Sequence, residues 1–249
     1  MPPNYAVIPA AGKGKRIRPY SEKVPKPMIQ VLGRPILAHV IDRCKAAGIR
    51  NIIIVVNPDS QVVEDFFGDG NNFDVSIEYI KQPKPEGIGQ AVGLTEGVVD
   101  TPFVVYLGDE LYLDSDHTGF IQSFDDTSCA AAIGLLRVDD EELIRKNYSV
   151  ELDPDSHIIK HLVEKPSIIT NNILGCGSYI FDDTVFEAIR KTPRSKKNEI
   201  EITDTLNTIR ELGYDVYGYF LGGTYLNITY PEDIHEAEKL LQMDKDSIL

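Results

Sequence analysis

The amino-acid sequence predicts an α/β fold: a Rossmann-like, three-layer α/β/α arrangement around a mixed, mostly parallel central sheet, with a smaller lobe in the second half. Short apolar runs rich in β-branched residues alternate with amphipathic stretches of helical period, which is the pattern of βαβ units. The chain has 249 residues, 42% of them hydrophobic, and that length can bury the core of one large domain. No internal repeat or low-complexity linker interrupts it.

The first half carries the clearer βαβ pattern. Tyr5–Pro9 is an apolar run that leads into a glycine-rich loop, so we expect it to be the first strand. Pro35–Ala47 has apolar residues at helical spacing, and Gly48 follows it as a stop signal. Asn51–Val56 is almost entirely apolar, as expected of a strand covered on both faces. The other elements predicted here are the helices Gln61–Phe67 and Ile88–Val98 and the strands Ser76–Ile80 and Phe103–Leu107.

The second half predicts more strands than helices. A closing helix is expected to begin at Pro231, because proline is favoured in the first turn of a helix. The predicted strands are Ala130–Val138, Tyr148–Leu152, Ile158–Glu164, Gly177–Phe181 and Val216–Tyr219, and the predicted helices are Asp183–Arg190, Glu201–Leu212 and Pro231–Gln242.

The charge balance limits the classes of ligand. A formal net charge of −14, from 39 acidic and 25 basic residues, repels nucleic acids and anionic membranes. The N-terminal 26 residues reverse this balance, since six basic residues there face a single acid, Glu22. We therefore expect a local site for an anionic ligand near the N-terminus. The six basic residues are Lys13, Lys15, Arg16, Arg18, Lys23 and Lys26.

The cysteines and the apolar runs favour a cytoplasmic protein with reduced thiols. Cys44, Cys129 and Cys176 are odd in number and far apart, which suggests neither a disulfide framework nor a metal site. No apolar run approaches the roughly 20 residues that span a bilayer. The sequence does not open with the pattern of a signal peptide.

The loop after the first strand reads Ala10-Ala11-Gly12-Lys13-Gly14-Lys15-Arg16. Glycines let backbone N–H groups approach a phosphate chain, and arginine can pair with phosphate in a bidentate manner. Lys26 lies between two prolines, which restrict its backbone. The loop is neither a Walker A motif nor a dinucleotide fingerprint, because Ile17 stands where the third glycine would fall. A tight turn with no ligand would explain the glycines alone, but the basic residues favour phosphate binding.

The run from Pro9 to Pro19, followed by Pro25-Lys26-Pro27, resembles the signature of the sugar-1-phosphate nucleotidyltransferases. Within that family, its sequence pattern is most similar to that of the glucose-1-phosphate thymidylyltransferases and uridylyltransferases. Six further segments follow in the family's order: Gln82–Ala91, Leu107–Glu110, Glu164–Pro166, Gly177–Asp182, Glu199–Asp204 and Tyr225–Asn227.

The resemblance implies a nucleotide-diphospho-sugar transferase fold and an Mg²⁺-dependent reaction. A nucleoside triphosphate and a sugar 1-phosphate, glucose 1-phosphate above all, would give a nucleotide-sugar and pyrophosphate. One domain would span residues 1–249, with a nucleotide-binding half over 1–110, a sugar-phosphate-binding half over 111–230 and a C-terminal helix over 231–249. The resemblance also implies a homo-oligomer, a dimer or a tetramer.

The resemblance assigns the nucleotide to the first half of the chain. Arg16 would hold the leaving pyrophosphate and Lys26 would stabilise charge around the α-phosphoryl group. The amide of Gln82 can pair with N3–H and O4 of uracil or thymine, which favours UTP or dTTP without separating them. The implied nucleotide-binding residues are Ala10, Ala11, Gly12, Gly14, Lys15, Arg16, Gln82 and Gly87.

The sugar phosphate and the metal are assigned to later motifs. Lys165 would bind the phosphate of the sugar phosphate, and Glu164 would bind sugar hydroxyls. Asp109 follows a buried strand at the edge where α/β sheets bind ligands, and it would hold Mg²⁺ together with Asn227. Taken alone, Asp109 is equally typical of a turn or a helix cap. The implied catalytic residues are Arg16, Lys26, Asp109 and Lys165. The implied sugar-phosphate-binding residues are Tyr148, Glu164, Lys165 and Gly177. Tyr148 could equally be explained by packing in the smaller lobe.

Four positions depart from the family pattern. Lys15 replaces Thr or Ser, Glu110 replaces Asn, Tyr225 replaces Trp and Asn227 replaces Asp. An amide oxygen can still bind Mg²⁺, as in the related N-acetylglucosamine-1-phosphate uridylyltransferases, and Glu110 would add negative charge nearby. Two alternatives stay open: a cytidylyltransferase or guanylyltransferase for another phosphorylated sugar, or a non-catalytic protein that binds nucleotide-sugars. We expect no feedback site, because the helical extension that carries it in some relatives is missing.

Overall fold

A computed structural model describes residues 2–12, 14–22, 24–59, 61–100 and 102–247, and side chains as far as residue 242. Its centre is a mixed sheet of nine strands, accompanied by two two-stranded sheets. In chain order the strands are Tyr5–Pro9 (β1), Gln30–Val31 (β2), Arg34–Pro35 (β3), Asn51–Val56 (β4), Ser76–Lys81 (β5), Phe103–Tyr106 (β6), Glu110–Leu113 (β7), Ala131–Arg137 (β8), Tyr148–Leu152 (β9), Ile159–Glu164 (β10), Ile173–Phe181 (β11), Val216–Phe220 (β12) and Thr224–Asn227 (β13).

Helices cover both faces of the central sheet. The described helices are Ile36–Ala46 (α1), Gln61–Phe67 (α2), Ile88–Gly93 (α3), His117–Asp125 (α4), Glu141–Lys146 (α5), Thr184–Lys191 (α6), Ile202–Glu211 (α7) and Pro231–Ser247 (α8). Helix α8 packs against the β7–β13 pair. Among the described residues, no helix is both long and apolar enough to cross a membrane.

The central sheet forks at strand β11. The order β10-β9-β11-β6-β1-β4-β5 continues on the other edge of β11 with β8 and then β12. Strands β5, β4, β1 and β6 are parallel, whereas β11 is antiparallel to β6, β8 and β9. Leu174 and Gly175 of β11 pair with β9, while Ser178–Phe181 pair with β6. Two strands therefore share one edge of β11, and the sheet opens between them at residues 176–177.

Three apolar clusters hold these layers together. Helices α1, α2 and α4 pack on one face of the sheet through residues such as Leu37, Phe67 and Phe120. Helices α3, α6 and α7 pack on the other face through a second cluster. A smaller cluster joins the first short helical turn, the β7–β13 pair and α8 through Ile17 and Ile234. The predicted three-layer α/β/α class with a mixed sheet is confirmed.

Most predicted elements are present, with differences at their ends. Strands β1, β4 and β9 and helix α2 have the predicted bounds. Helix α3 ends at Gly93 and gives way to turns, so the predicted end at Val98 is wrong. Strand β11 begins at Ile173, so the predicted start at Gly177 is wrong and residues 173–176 are buried strand.

Six elements have no counterpart in the sequence-based prediction: the helices α4 and α5 and the strands β2, β3, β7 and β13. Each of the two helices begins after an aspartate that caps it, because Asp116 accepts a hydrogen bond from the Gly119 amide and Asp140 accepts one from the Glu142 amide. Strands β7 and β13 pair with each other across more than 100 residues of sequence.

Candidate active site

A cavity of about 790 Å³ lies at the fork in the sheet, at the carboxyl ends of β1 and β6 and beside the adjoining ends of β9 and β10. Ligands of open α/β sheets bind at this edge of the parallel strands. Twelve of the predicted site residues line the cavity, so the motifs of the two halves of the chain converge on one space. They are Ala10, Ala11, Gly12, Arg16, Lys26, Gln82, Gly87, Asp109, Tyr148, Glu164, Lys165 and Asn227.

Three predicted site residues lie outside the lining of this cavity. Gly14 has a φ of +57°, and a Cβ placed there would lie 2.9 Å from Cβ of Lys26. Its lack of a side chain therefore lets Lys26 pack closely. Lys15 is exposed on the short helical turn Lys15–Ile17. Gly177 lies in β11 and donates its amide to Oε2 of Glu110 at 2.8 Å. Lys13 and Lys23 of the basic cluster lie outside the described residues.

Lys26 and Asp109 form an ion pair in the cavity, with 2.5 Å between Nζ and Oδ2. The side chain of Lys26 is 12% exposed and that of Asp109 is 33% exposed, so both reach the ligand space from a mostly buried position. Asp109 follows β6, and its carbonyl oxygen accepts a hydrogen bond from the Ile228 amide at 2.9 Å. The amide of Leu107 bonds to the carbonyl oxygen of Gly177 at 2.9 Å. Strands on both sides thus hold the segment that carries Asp109.

Asn227 lines the same cavity as Asp109, and its backbone is close to that of Asp109, because Asn227 is paired in register with Glu110 across the β7–β13 ladder. Its Oδ1 accepts a hydrogen bond from the hydroxyl of Thr229 at 2.7 Å, and its Nδ2 donates to Oδ1 of Asn147 at 3.2 Å. In the part of the chain that the structure describes, no three or more His, Cys, Asp or Glu side chains form a group that could hold a metal ion. One carboxylate and one amide oxygen in a cavity that also holds basic side chains nevertheless fit Mg²⁺, which takes few protein ligands and completes its shell with phosphate and water.

Glu110, which follows Asp109 and is paired with Asn227 across the β7–β13 ladder, is buried. Oε2 accepts hydrogen bonds from the Tyr112 hydroxyl at 2.6 Å and the Gly177 amide at 2.8 Å, and Oε1 accepts one from the Tyr225 hydroxyl at 2.9 Å. Burial, assisted by the neighbouring charge of Asp109, raises the pKa of Glu110 to about 7. Burial thus favours the neutral form of Glu110 and opposes the negative charge that the sequence led us to expect near the site.

Gln82 and Gly87 join the cavity to the second half of the chain. Gln82 is buried, and its Nε2 donates to the carbonyl oxygen of Gly87 at 3.3 Å and to Oε1 of Gln90 at 2.5 Å. Gly87 has a φ of +103°, and a Cβ there would overlap the backbone of Ile200. Ile200 in turn donates its amide to the carbonyl oxygen of Glu86 at 2.8 Å. Only glycine fits at position 87 without moving this junction.

The far end of the cavity carries Glu164 and Lys165 at the end of β10. Nζ of Lys165 lies 2.8 Å from Oε1 of Glu164, whose Oε2 accepts a hydrogen bond from Thr203 at 3.3 Å. The hydroxyl of Tyr148 donates to the carbonyl oxygen of Cys176 at 2.7 Å, and its ring covers Gly175 so closely that a Cβ there would overlap it. The Tyr148 hydroxyl is thus used inside the protein, although the residue lines the cavity.

Further charged residues of the cavity had no predicted role. Arg145, Lys146 and Lys197 line it, as do several acids. One of these acids, Glu201, has a pKa raised by burial and by the nearby charge of Glu164. Asn147, between Lys146 and Tyr148, is also part of the wall. Arg145, Lys146 and Asn147 lie in no motif, because α5 and the strand pairing that bring them here depend on distant contacts, whereas Glu201 lies in the segment Glu199–Asp204 but had no role of its own.

Comparison with known proteins agrees with this geometry. The model of the nucleotidyl transferase family matches residues 5–244. The low-salt glycan biosynthesis nucleotidyltransferase Agl11 of Haloferax volcanii is 32% identical over 96% of this chain and 66% of its own length. The UTP–glucose-1-phosphate uridylyltransferase AglF of the same organism is 31% identical over 95% of this chain and 96% of its own. The bifunctional protein GlmU of Methanocaldococcus jannaschii is 34% identical over 96% of this chain.

The chain spans about two thirds of Agl11 and 54% of that GlmU protein. Among solved structures, UDP-glucose pyrophosphorylase from Acinetobacter baumanii superposes with a TM-score of 0.82 at 25% identity, covering 95% of this chain and 92% of that one. The likeness in sequence and the likeness in fold therefore extend over nearly the whole of this chain.

Proposed function

Since this chain belongs to the nucleotidyl transferase family, we propose that it transfers a nucleotidyl group from UTP or dTTP to a sugar 1-phosphate, glucose 1-phosphate above all. The observation that carries the proposal is the convergence of Lys26, Asp109 and Lys165 on one cavity from three separate motifs. In an otherwise acidic protein, such a set of cations beside a carboxylate suits two phosphorylated reactants.

In the proposed reaction an oxygen of the sugar 1-phosphate attacks the α-phosphorus, and the bond to pyrophosphate breaks as the new P–O bond forms. Both reactants are anions, so the protein acts mainly by neutralising and orienting them. Residues 1–110 would bind the nucleotide, with Arg16 on the pyrophosphate and Lys26 near the α-phosphoryl group. Residues 111–230 would bind the sugar phosphate, with Lys165 on its phosphate.

Asp109 and Asn227 would hold Mg²⁺ through one carboxylate and one amide oxygen. When bound, the metal would supply charge stabilisation between the two phosphorylated groups. Lys26 already neutralises Asp109 without ligands. A triphosphate that draws Lys26 toward its α-phosphoryl group would free that carboxylate, so binding of the nucleotide and binding of the metal support each other.

The Gln82 amide supports a uracil or thymine base. Its nitrogen is committed to Gly87 and Gln90, which leaves the carbonyl oxygen to face a ligand. That oxygen can accept from N3–H of uracil or thymine, whereas N3 of cytosine carries no hydrogen in its neutral form. The name of the relative AglF, a UTP–glucose-1-phosphate uridylyltransferase, agrees with this choice of base and with glucose 1-phosphate.

The sugar would lie between Glu164 and the ring of Tyr148. The carboxylate of Glu164 is oriented by Thr203 and Lys165 and is suited to accept from sugar hydroxyls. Tyr148 would contribute its ring face, since its hydroxyl is bound to Cys176. The net charge of −14 supports action without nucleic acid or membrane partners, and the three scattered cysteines support a cytoplasmic location. The proposal also includes a dimer or tetramer.

A matrix of UTP, dTTP, CTP, GTP and ATP against several sugar 1-phosphates, with detection of released pyrophosphate, tests the proposal. We expect Mg²⁺-dependent turnover with UTP or dTTP, lost in Asp109→Ala while the fold persists. Turnover only with CTP or GTP would show that the site selects cytosine or guanine instead of uracil or thymine. Tight binding of nucleotide-sugars with no turnover for any pair would identify a regulatory protein instead.

A further inference from the structure

We propose that Asn147 is a positioning residue whose amide orients the side chain of Asn227 so that its oxygen is available to a divalent cation. This inference rests on the proposed function and extends it to a residue outside the motifs. It starts from a chain of hydrogen bonds that runs from helix α5 through Asn147 to Asn227.

The orientation of the Asn147 amide is set by the backbone carbonyl oxygen of Leu143, which can accept a hydrogen bond but cannot donate one. Nδ2 of Asn147 donates to the carbonyl oxygen of Leu143 at 2.9 Å. Oδ1 of Asn147 must therefore point the other way, where it accepts from Nδ2 of Asn227 at 3.2 Å and faces the Tyr225 hydroxyl at 3.5 Å. A backbone carbonyl of α5 thus determines, through two side chains, which end of the Asn227 amide faces Asn147.

This orientation matters because residue 227 is an asparagine. With its Nδ2 turned to Asn147, Asn227 directs Oδ1 to the opposite side, where the hydroxyl of Thr229 donates at 2.7 Å. The oxygen retains a second lone pair for a metal ion. Rotated by half a turn, the same side chain would offer an NH₂ group, which repels a cation. An aspartate at this position presents an oxygen in either orientation and needs no such control.

The backbone of Asn147 has a separate role at the sugar-phosphate end. Its carbonyl oxygen accepts from the Lys165 amide at 2.8 Å, at a lysine whose φ is +46°. Its own amide bonds to the carbonyl oxygens of Leu143 and Ile144, which fixes it at the end of α5. Because these bonds use the backbone, Asn147→Ala removes the amide and leaves the support of Lys165 in place.

The test measures equilibrium binding of Mn²⁺ by electron paramagnetic resonance in the presence of UTP, and in parallel dTTP, without sugar phosphate. We expect Asn147→Ala to weaken Mn²⁺ binding about fivefold to tenfold, because the hydrogen bond that orients Asn227 is lost. The KM for the sugar phosphate should change less than about twofold, because the Lys165 contact is a backbone one. Asn171→Ala is the matched control, since Asn171 also bonds to backbone groups but lies outside the cavity.

The deciding variant is Asn227→Asp with and without Asn147→Ala. In the aspartate background the loss of Asn147 should leave Mn²⁺ binding unchanged or improve it, because the two side-chain oxygens would otherwise face each other. An equal loss in both backgrounds would reduce Asn147 to a purely structural role and overturn the inference, as would unchanged binding in Asn147→Ala. A wild-type protein that neither binds Mn²⁺ with nucleotide nor turns over would refute the proposed function itself.

Discussion

Lys26 donates to Asp109 across 2.5 Å at the point where the two halves of the chain meet in the cavity. The pair joins the motif that follows the glycine-rich loop to the motif that follows β6, 83 residues later. Because the charges neutralise each other, neither is free for a ligand until the other finds a new partner. Because of this coupling, loss of the Asp109 charge should lower turnover without weakening nucleotide binding.

Asp109→Asn should lower Mg²⁺-dependent turnover by at least about 100-fold, since it removes the charged metal ligand. The same change should leave nucleotide binding in EDTA unchanged or tighter, because Lys26 is released and a negative charge is lost. Calorimetric titration with UTP and a pyrophosphate assay give the two values. Asp42→Asn, which removes a carboxylate from the surface pair with Arg34, is the control. Weaker nucleotide binding in EDTA would contradict the coupling.

Gln82→Ala should reduce the preference for UTP over CTP by about tenfold, because one hydrogen bond to N3–H is lost. The effect should fall on kcat/KM for UTP, while the KM for the sugar phosphate stays close to its wild-type value. Steady-state rates with each triphosphate provide the measurement. A preference that survives intact in the variant would show that other groups select the base.

Tyr148→Phe should lower the free energy of unfolding by about 1 kcal/mol, because the buried hydrogen bond to Cys176 is removed. The KM for the sugar phosphate should stay within about twofold, because the ring remains in place. Tyr148→Ala, which removes the ring, should raise that KM. Chemical denaturation and steady-state kinetics separate the two effects. A large rise in KM for the phenylalanine variant would show that the hydroxyl meets the sugar.

His117 offers a pH-dependent prediction for stability. It is buried against the rings of Tyr106 and Tyr112, and neither ring nitrogen has a hydrogen-bond partner among the described residues. Burial, with a smaller contribution from the Arg43 charge, lowers the pKa of His117 to about 2 from 6.5. The unfolded chain therefore takes up a proton below pH 6.5 that the folded chain does not.

The folded state should accordingly lose up to about 1.4 kcal/mol per pH unit as the pH falls below 6.5, from this residue alone. His117→Phe keeps an aromatic ring and removes both the titration and the unpaired nitrogens. We expect the variant to be more stable at pH 7 and its advantage to grow toward pH 5. Urea denaturation across this range checks the slope, and a constant difference between the two proteins would refute it.

Patterns within short segments predicted much of the fold and twelve of the residues that line the cavity. Strands such as β4 are apolar along nearly their whole length, and this signal needs no knowledge of the neighbours. The lining residues Arg16, Lys26, Asp109 and Lys165 lie in compact motifs that can be found without a structure. Their roles remain predictions until the experiments above are done.

Elements that depend on distant partners could not be predicted. Strands β7 and β13 are four residues each and are stabilised by pairing with one another across the chain. Residues 173–176 of β11 include Gly175, a weak strand former, and the ring of Tyr148 explains why a glycine is required there. Asn147 lies in no motif, and its contacts with Leu143 and Asn227 exist only in the folded chain.

The division of one edge of β11 between two neighbours has a consequence for how such proteins diversify. The hairpin formed by β9 and β10 is joined to β11 through two residues, Leu174 and Gly175, whereas β6 has its own ladder over residues 178–181. Insertions or substitutions in the hairpin can therefore alter the walls around an acceptor without shifting the strand that leads to Asp109. Under the proposed function, a change in this hairpin would therefore alter the choice of sugar phosphate and leave the groups around the triphosphate in place.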